Sequence, residues 1–262
     1  IKNVVATQFV WEDIRHLPTV GVIGEDEERG IVEIAQPLGP ILAVIPATNP
    51  TSTTLFKILS ALKTRNPLIV SPARRALQST VATARLAYEA AIAAGAPDDC
   101  ILWLDDVSRE QTQALMAHSG LALILATGAS GLVHSAYSSG TPTLGVGPGN
   151  VPVFIDRSAD LAFATAEICT SKLFDNGTIC ASEQALVIER ELRPALLEAL
   201  QTHGAVLLDH QQALQLETVL FPDGERVNAE LVGKPARVIA ERAGLAVPGG
   251  TELLLVEPDG VG

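Results

Sequence analysis

The sequence predicts an α/β protein built around a parallel β-sheet, and three observations support this. Short β-branched runs alternate with longer stretches rich in Ala and Leu that have helical spacing. Turn residues separate the two kinds of segment. The 262-residue chain is 47% hydrophobic and 18% charged, which provides enough apolar side chains for a sizeable core. Alternation of this kind is typical of doubly wound sheets, which bind ligands at the carboxyl ends of their strands.

The first part of the chain is predicted to contain four core strands joined by helices. The strands are expected at residues 41–46, 67–70, 100–104 and 121–126, and the intervening helices from Thr51, from Ala76 and from a capping box at Ser108–Gln111. Residues 30–36 also have strand character and are expected to form an edge or assembly strand.

A Gly-rich stretch at residues 145–150 predicts a boundary, because a turn so rich in glycine is not expected inside an element. The alternation then resumes, with strands at 151–156 and 184–189 and helices at 158–172 and from Glu191. Further elements are expected near 205–208, 235–243 and 252–256. We therefore expect one domain over residues 1–152 and a second over 153–262.

Charge and composition exclude several classes of partner. With 18 Lys and Arg against 30 Asp and Glu, the net charge is −12, which argues against nucleic acid and anionic membranes. We expect no membrane span, since no apolar run reaches about 18 residues. Three cysteines are too few for a disulfide framework and favour the cytoplasm. The five histidines lack metal-ligand spacing, so we expect no metal site.

Cys180 lies in a polar, glycine-containing loop between a predicted helix and a predicted strand, whereas Cys100 and Cys169 lie in apolar elements. A nucleophilic thiol needs partial exposure and hydrogen-bond donors that stabilise its anion, and a turn offers both. An inert loop cysteine is the alternative.

Asn49 lies where the first core strand ends and a helix begins, in the sequence Pro-Ala-Thr-Asn-Pro. The amide is interpreted either as a helix cap or as a donor to a developing oxyanion. Thr127-Gly128 likewise ends a strand, and its turn either faces a phosphate or nicotinamide or is only a tight connection. Arg74 and Arg75 follow another strand and are either a solvated face or a phosphate contact.

Residues 174–184, Phe-Asp-Asn-Gly-Thr-Ile-Cys-Ala-Ser-Glu-Gln, together with Asn49 in its Pro-x-x-Asn-Pro setting, resemble the aldehyde dehydrogenase superfamily. The resemblance is to its CoA-acylating branch, in particular the acetaldehyde dehydrogenase part of bifunctional aldehyde-alcohol dehydrogenases. Further similar stretches are 45–52, 63–72, 124–131, 136–140 and 145–152, so the resemblance covers nearly the whole chain.

The resemblance implies an aldehyde dehydrogenase-like fold, with a Rossmann-type cofactor domain and a partial α/β catalytic domain. It implies that Cys180 attacks the aldehyde carbon and that Asn49 and the Cys180 amide stabilise the oxyanion. The implied cofactor is NAD, with coenzyme A as co-substrate; Arg74 and Arg75 leave NADP open. The implied cofactor-binding residues are Thr48, Ser71, Pro72, Thr127, Gly128, Gly131 and Gly147.

Val146 occupies the position where hydrolytic relatives carry a glutamate that activates water. Its presence favours transfer of the acyl group to a thiol such as CoA over transfer to water. Other aldehydes, such as sulfoacetaldehyde or propionaldehyde, are alternative substrates.

The resemblance also implies a homo-oligomer and, in a full-length parent protein, a filament. The chain resembles an interior portion of that fold, lacking the start of the first domain and the end of the second. An inactive fragment with an assembly role is therefore an alternative to an enzyme.

Overall fold

The computed structural model of the chain describes residues 1–258, so residues 259–262 of the predicted second domain lie outside the description. The chain divides into two compact units, Ile1–Pro148 and the part from Gly149 onward. The division falls slightly before the boundary at residue 152 that the sequence predicts.

The first unit begins with a helical segment and a hairpin. The segment comprises α1 (Lys2–Val4), a π-helical stretch (Val5–Phe9) and α2 (Val10–Ile14). The strand expected at residues 30–36 is β2 (Ile31–Ala35), which pairs antiparallel with β1 (Gly21–Asp26) in a two-stranded sheet of their own. Neither β1 nor the N-terminal helices are predicted from the sequence.

The core of the first unit is a five-stranded parallel sheet. Its strands are β3 (Ile41–Val44), β4 (Leu68–Ser71), β5 (Ile101–Trp103), β6 (Leu123–Thr127) and β7 (Thr143–Val146). Their order is β5-β4-β3-β6-β7, so the chain starts in the middle, builds outward on one side and then returns to build on the other. This is the strand order of a doubly wound, Rossmann-type sheet.

Four helices cover this sheet: α3 (Pro50–Lys63), α4 (Leu77–Ala93), α5 (Arg109–Met116) and α6 (Ser130–Tyr137). Alternate residues of β3 enter different clusters, because successive strand side chains point to opposite faces. Ile41 and Ala43 pack in a cluster with residues of α3 and α4, whereas Leu42 and Val44 pack with residues of α5 and α6. The central strand β3 is therefore buried on both faces of the sheet, as expected for a strand in the middle of a doubly wound sheet.

The interpretation of residues 145–150 as a turn outside any element is wrong at its start. Gly145 and Val146 lie in β7, where they pair with Ala126 and Thr127 of β6. Gly145 packs closely against α6: a Cβ on it would lie 2.6 Å from Cε2 of Tyr137 and 2.7 Å from Cγ1 of Val133, so a larger residue would force these side chains to shift. Sequence patterns cannot reveal such close packing of a helix on a strand.

The second unit contains two small parallel sheets and four helices among its described residues. The elements are β8 (Pro152–Ile155), α7 (Leu161–Leu173), β9 (Ala185–Ile188), α8 (Arg193–Thr202), β10 (Ala205–Leu207), α9 (His210–Leu220), α10 (Ala236–Arg242) and β11 (Leu253–Leu255). β8 pairs with β9, and β10 pairs with β11. The sequence does not predict α9. Helix α7 begins later than expected because the Asp160 carboxylate accepts hydrogen bonds from the amides of Ala162 and Phe163.

Over residues 1–258, the structure contains no helix that combines the length and apolarity needed to cross a membrane.

Candidate active-site elements

The carboxyl edge of the five-stranded sheet collects most of the predicted binding residues. β3 and β6 are neighbours in the sheet, although their connections run to opposite sides, so a topological switch point lies where these two strands end. Thr48 and Asn49 follow β3, while Thr127 ends β6 and Gly128 follows it. Helices α3 and α6 begin directly after these segments. The N-termini of two helices therefore flank the crevice in which doubly wound sheets bind ligands.

Asn49 occupies the N-cap position of α3, but its side chain forms no capping hydrogen bond. Its Nδ2 lies 3.5 Å from Oγ1 of Thr48. Its Oδ1 is buried without a hydrogen-bond partner among the described residues. The interpretation of Asn49 as a side-chain cap is thus wrong, since its Oδ1 accepts from no amide of α3 and its Nδ2 makes only the long contact with Thr48.

The glycines at this edge leave space for a ligand. A Cβ on Gly131 or Gly147 would meet no atom within 4 Å. Gly128 differs, because a Cβ there would lie 3.0 Å from Cδ2 of Leu132. The Gly128 amide also donates to the Val146 carbonyl at 3.1 Å, which joins the ends of β6 and β7. The edge therefore combines a fixed turn with an open surface.

Ser71 and Pro72 lie at the end of β4 and are both buried. Ser71 is 1% exposed, and its hydroxyl lies 3.5 Å from Oγ1 of Thr112 in α5. The Ser71 carbonyl accepts from the amide of Ile45 at 2.9 Å. Ser71 therefore shapes the end of the strand, and its hydroxyl does not face solvent.

Lys57 is a residue of this edge that sequence reasoning missed. It is 3% exposed, and its Nζ donates to the carbonyls of Val44 and Leu125, both at 2.8 Å. One ammonium thus links β3 to β6, the two strands that flank the switch point. Burial lowers the pKa of Lys57 to about 7. The available signal is its position on the buried face of α3, which Lys57 shares with Thr54, Ile58 and Ala61 at helical spacing.

The three cysteines differ in exposure as the sequence predicts. Cys180 is exposed, whereas Cys100 and Cys169 are buried. Burial raises the pKa of both buried thiols, which keeps them protonated and unreactive. Cys180 is therefore the thiol that a substrate can reach.

Cys180 lies in what we call the nucleophile loop, residues 174–182. The loop leaves α7 through three successive residues in the left-handed region, Asp175 (φ 53°), Asn176 (φ 50°) and Gly177 (φ 67°). The amide of Ser182 donates to the carbonyl of Ile179 at 3.1 Å, which closes a turn around Cys180.

Gly149 lies directly against this turn. A Cβ on Gly149 would lie 2.7 Å from the carbonyl oxygen of Cys180, so only glycine permits this approach. The amide of Gln184 donates to the carbonyl of Val151 at 3.0 Å and joins the end of the loop to the chain before β8. The nucleophile loop is therefore packed against residues 149–151.

Three polar residues lie close to the nucleophile loop. The side chain of Lys172 lies close to Gly177, because a Cβ on Gly177 would lie 3.5 Å from Lys172 Nζ. Burial lowers the pKa of Lys172, and the negative charge of Glu183 partly opposes this shift. The Glu183 Oε2 and the Ser182 Oγ are buried without a hydrogen-bond partner among the described residues. Lys172, Ser182 and Glu183 are therefore held in a partly desolvated environment.

The basic residues are not concentrated at the sheet edge. Six arginines form ion pairs with Asp or Glu elsewhere in the two units: Arg15, Arg29, Arg157, Arg193, Arg226 and Arg242. Arg74 and Arg75 do follow β4, in a short 3₁₀ turn, and are exposed. Within residues 1–258, no three His, Cys, Asp or Glu side chains form a group suited to a metal ion.

Comparison with known proteins is consistent with this arrangement. The profile of the Aldehyde dehydrogenase family matches residues 3–246. The bifunctional aldehyde-alcohol dehydrogenase of Escherichia coli (strain K12) is 47% identical over 257 residues, which cover 98% of this chain and 29% of that protein. The chain thus spans about a third of the length of such relatives.

The crystal structure of an acetylating aldehyde dehydrogenase from Geobacillus thermoglucosidasius matches with a TM-score of 0.94 at 44% identity, covering 100% of this chain and 57% of that one. A propionaldehyde dehydrogenase structure from Rhodopseudomonas palustris contains bound CoA and an acylated cysteine, at 29% identity, TM-score 0.77, and coverage of 84% and 51%. An engineered glycolyl-CoA reductase with bound NADP⁺ matches at 30% identity, with a TM-score of 0.78 and coverage of 84% and 50%. The chain belongs to the aldehyde dehydrogenase family.

Proposed function

We propose that the chain carries the nucleophile and the nicotinamide-binding sheet of a CoA-acylating aldehyde dehydrogenase that interconverts acetyl-CoA and acetaldehyde. The observation that carries this proposal is the contrast among the thiols. Cys180 is exposed on a closed turn, whereas Cys100 and Cys169 are buried. The similarity to acetylating aldehyde dehydrogenases supports the choice of substrate.

In the proposed reaction, the thiolate of Cys180 attacks the aldehyde carbon and forms a carbon–sulfur bond. The Nδ2 of Asn49 and the backbone amide of Cys180 donate to the substrate oxygen, which carries negative charge after the attack. When bound, a nicotinamide cofactor would supply the acceptor for the hydride from this carbon, which would leave a thioester on Cys180. The thiol of CoA then attacks the thioester, so Cys180 is released and acetyl-CoA departs.

Val146 supports CoA as the acyl acceptor. It ends β7 with its side chain 55% exposed, and an aliphatic side chain has no group that can deprotonate water. Attack by water on the thioester is therefore slow, and a thiol competes well. Replacing Val146 with Glu should raise thioester hydrolysis, and an unchanged rate would contradict this role for the position.

For the cofactor we propose NAD, bound at the carboxyl edge of the sheet. Its phosphates would lie near the N-termini of α3 and α6, with Thr48, Thr127, Gly128, Gly131 and Gly147 lining the site. Ser71 and Pro72 would act indirectly, by fixing the end of β4. The open space at Gly131 and Gly147 supports the fit. Comparing the binding of NADH with that of NADPH tests the choice between them, for which Arg74 and Arg75 are the candidate determinants.

The proposed assembly is a homo-oligomer in the cytoplasm. The β1–β2 hairpin supports it, because Val22, Ile31, Val32 and Ile34 are each at least half exposed. Apolar side chains in such number on one hairpin are typical of an interface. Sedimentation of the chain at several concentrations would test this, and a monomer at every concentration would contradict it.

Acetyl transfer without any nicotinamide tests the proposed function. The chain is incubated with acetyl-CoA, and its mass is followed for the gain of one acetyl group on Cys180 and the release of free CoA. We expect acetylation in the wild type and in Cys169→Ser, and none in Cys180→Ser. A wild-type chain that acetyl-CoA does not modify would overturn the proposal. A panel of acyl-CoA substrates then separates acetaldehyde from propionaldehyde and sulfoacetaldehyde as the substrate class.

A further inference from the structure

The nucleophile loop contains two successive residues other than glycine in the left-handed region of backbone conformation. Asp175 and Asn176 both have positive φ, a region that residues other than glycine enter at a cost. Asp and Asn tolerate the left-handed conformation better than most residues, but two in succession require support from elsewhere in the fold. The contacts that hold this stretch therefore determine where Cys180 lies.

Asn176 makes one such contact, to a residue far away in the sequence. Its Nδ2 donates to the carbonyl oxygen of Gly233 at 2.9 Å, across 57 positions of the chain. Gly233 also approaches the loop directly, because a Cβ on it would lie 2.9 Å from Cγ2 of Thr178. One glycine thus contacts the nucleophile loop on both sides of Gly177.

The segment 228–235, which contains Gly233, is itself anchored. The amide of Asn228 donates to the carbonyl of Leu220 at 2.7 Å, at the end of α9. Leu231 is 4% exposed, and the amide of Lys234 donates to its carbonyl at 3.1 Å. This segment is irregular yet hydrogen-bonded, so it can act as a fixed support for the loop.

We propose that Asn176 and Gly233 are positioning residues for Cys180, since they tie the nucleophile loop to the segment 228–235. Neither residue needs to touch the substrate. The tie places the sulfur for attack on a carbonyl carbon, and so the inference rests on the proposed acyl-transfer function. Loss of the tie lets the loop relax while Cys180 stays exposed.

Three variants separate the tie from general effects on folding. Asn176→Asp keeps a residue that tolerates positive φ but removes the donor to Gly233. Gly233→Ala (φ +76°) introduces a Cβ against Thr178. Gly224→Ala is the matched control, because Gly224 has a similar φ of +80° but no atom lies within 4 Å of an added Cβ. The control carries the same backbone strain without touching the loop.

Two rates are measured for each variant: acetylation of Cys180 by acetyl-CoA and its alkylation by iodoacetamide. Acetyl transfer requires an oriented sulfur, whereas alkylation by a small reagent requires mainly exposure. We expect Asn176→Asp and Gly233→Ala to slow acetylation about tenfold or more while alkylation changes about twofold at most. Gly224→Ala should match the wild type in both. Wild-type acetylation rates in both loop variants would overturn the inference.

Hydrogen exchange keeps the inference testable if the wild-type chain is not acetylated and the proposed function fails. The amides of Thr178 and Ser182 are hydrogen-bonded within the loop. Faster exchange over residues 174–182 in Asn176→Asp and Gly233→Ala, but not in Gly224→Ala, would support the tie. Unchanged exchange in both loop variants would overturn it.

Discussion

Lys57 is buried, and no carboxylate among the described residues forms an ion pair with it. Its ammonium is satisfied by the carbonyls of Val44 and Leu125, groups that carry only partial charge. Burial therefore acts largely uncompensated and brings the pKa to about 7 from the ordinary value of 10.5. Near neutral pH this lysine releases its proton in the folded chain but keeps it in the unfolded chain.

This difference predicts a pH-dependent stability. Between the folded-state pKa of about 7 and the unfolded-state value of 10.5, the unfolded chain binds one more proton. The free energy of unfolding should therefore rise with pH in this window, with a slope of up to about 1.4 kcal/mol per unit from Lys57. Urea unfolding at several pH values measures the slope, and Lys57→Met should remove this contribution.

Lys234→Met is the matched control, because Lys234 is exposed. The informative quantity is the difference in slope between each variant and the wild type, which cancels the titration of other groups. Equal slopes in wild type and Lys57→Met would contradict a lysine that titrates near neutrality.

At the scale of elements, the packing of β7 against α6 depends on the lack of a side chain at Gly145. Gly145→Ala would place a methyl group against Tyr137 and Val133. Since overpacking forces neighbours to shift, we expect a loss of about 1–3 kcal/mol in the free energy of unfolding. Gly147→Ala, two residues further and in open space, should change stability by less than about 0.5 kcal/mol. Chemical denaturation of both variants makes the comparison, and equal stabilities would contradict the packing at β7.

The elements that sequence reasoning predicts are those with buried, periodic faces. The core strands and the capping box at Ser108 and Gln111 are confirmed, because burial and capping leave local patterns. The N-terminal helices escape prediction, since Phe9 and Trp11 are exposed and mark no clear buried stripe. The turn interpretation fails at Gly145 because this glycine lies in β7 and packs closely against α6. A local sequence pattern does not report such packing.

The candidate site divides in a similar way. Cys180 and Asn49 stand out because their residue types and turns suggest chemistry. Lys57 does not stand out, because a lysine within a helix is normally expected to be exposed to solvent. The tie between Asn176 and Gly233 joins residues 57 positions apart, and no pattern within one element predicts such a pair.

At the scale of the whole molecule, each unit has its own core. The first contains the clusters around β3, and the second contains clusters around α8 and α9. Between β7 and β8 the chain is irregular, and residues 148–150 are exposed. A compact unit on each side of an exposed connection is the arrangement that proteases cut.

Limited proteolysis should therefore cleave the folded chain first near Gly147 and Pro148, just before Gly149, which packs against the turn around Cys180. We expect two fragments that resist further digestion, identified by mass spectrometry. Early cleavage inside the five-stranded sheet would contradict the division into two units.

The pair Asn176-Gly177 is a chemically labile sequence, and its asparagine also donates the hydrogen bond to Gly233. An asparagine followed by glycine is prone to deamidation, because the unhindered backbone nitrogen of the glycine can attack the side-chain amide. The attack expels ammonia and forms a succinimide, which water opens to aspartate or isoaspartate. Either product replaces the donor to Gly233 with a carboxylate, which accepts hydrogen bonds and cannot donate one. Ageing of the protein would then release the nucleophile loop in the way that Asn176→Asp does. The rate of this deamidation would therefore limit how long the loop keeps its hydrogen bond to Gly233.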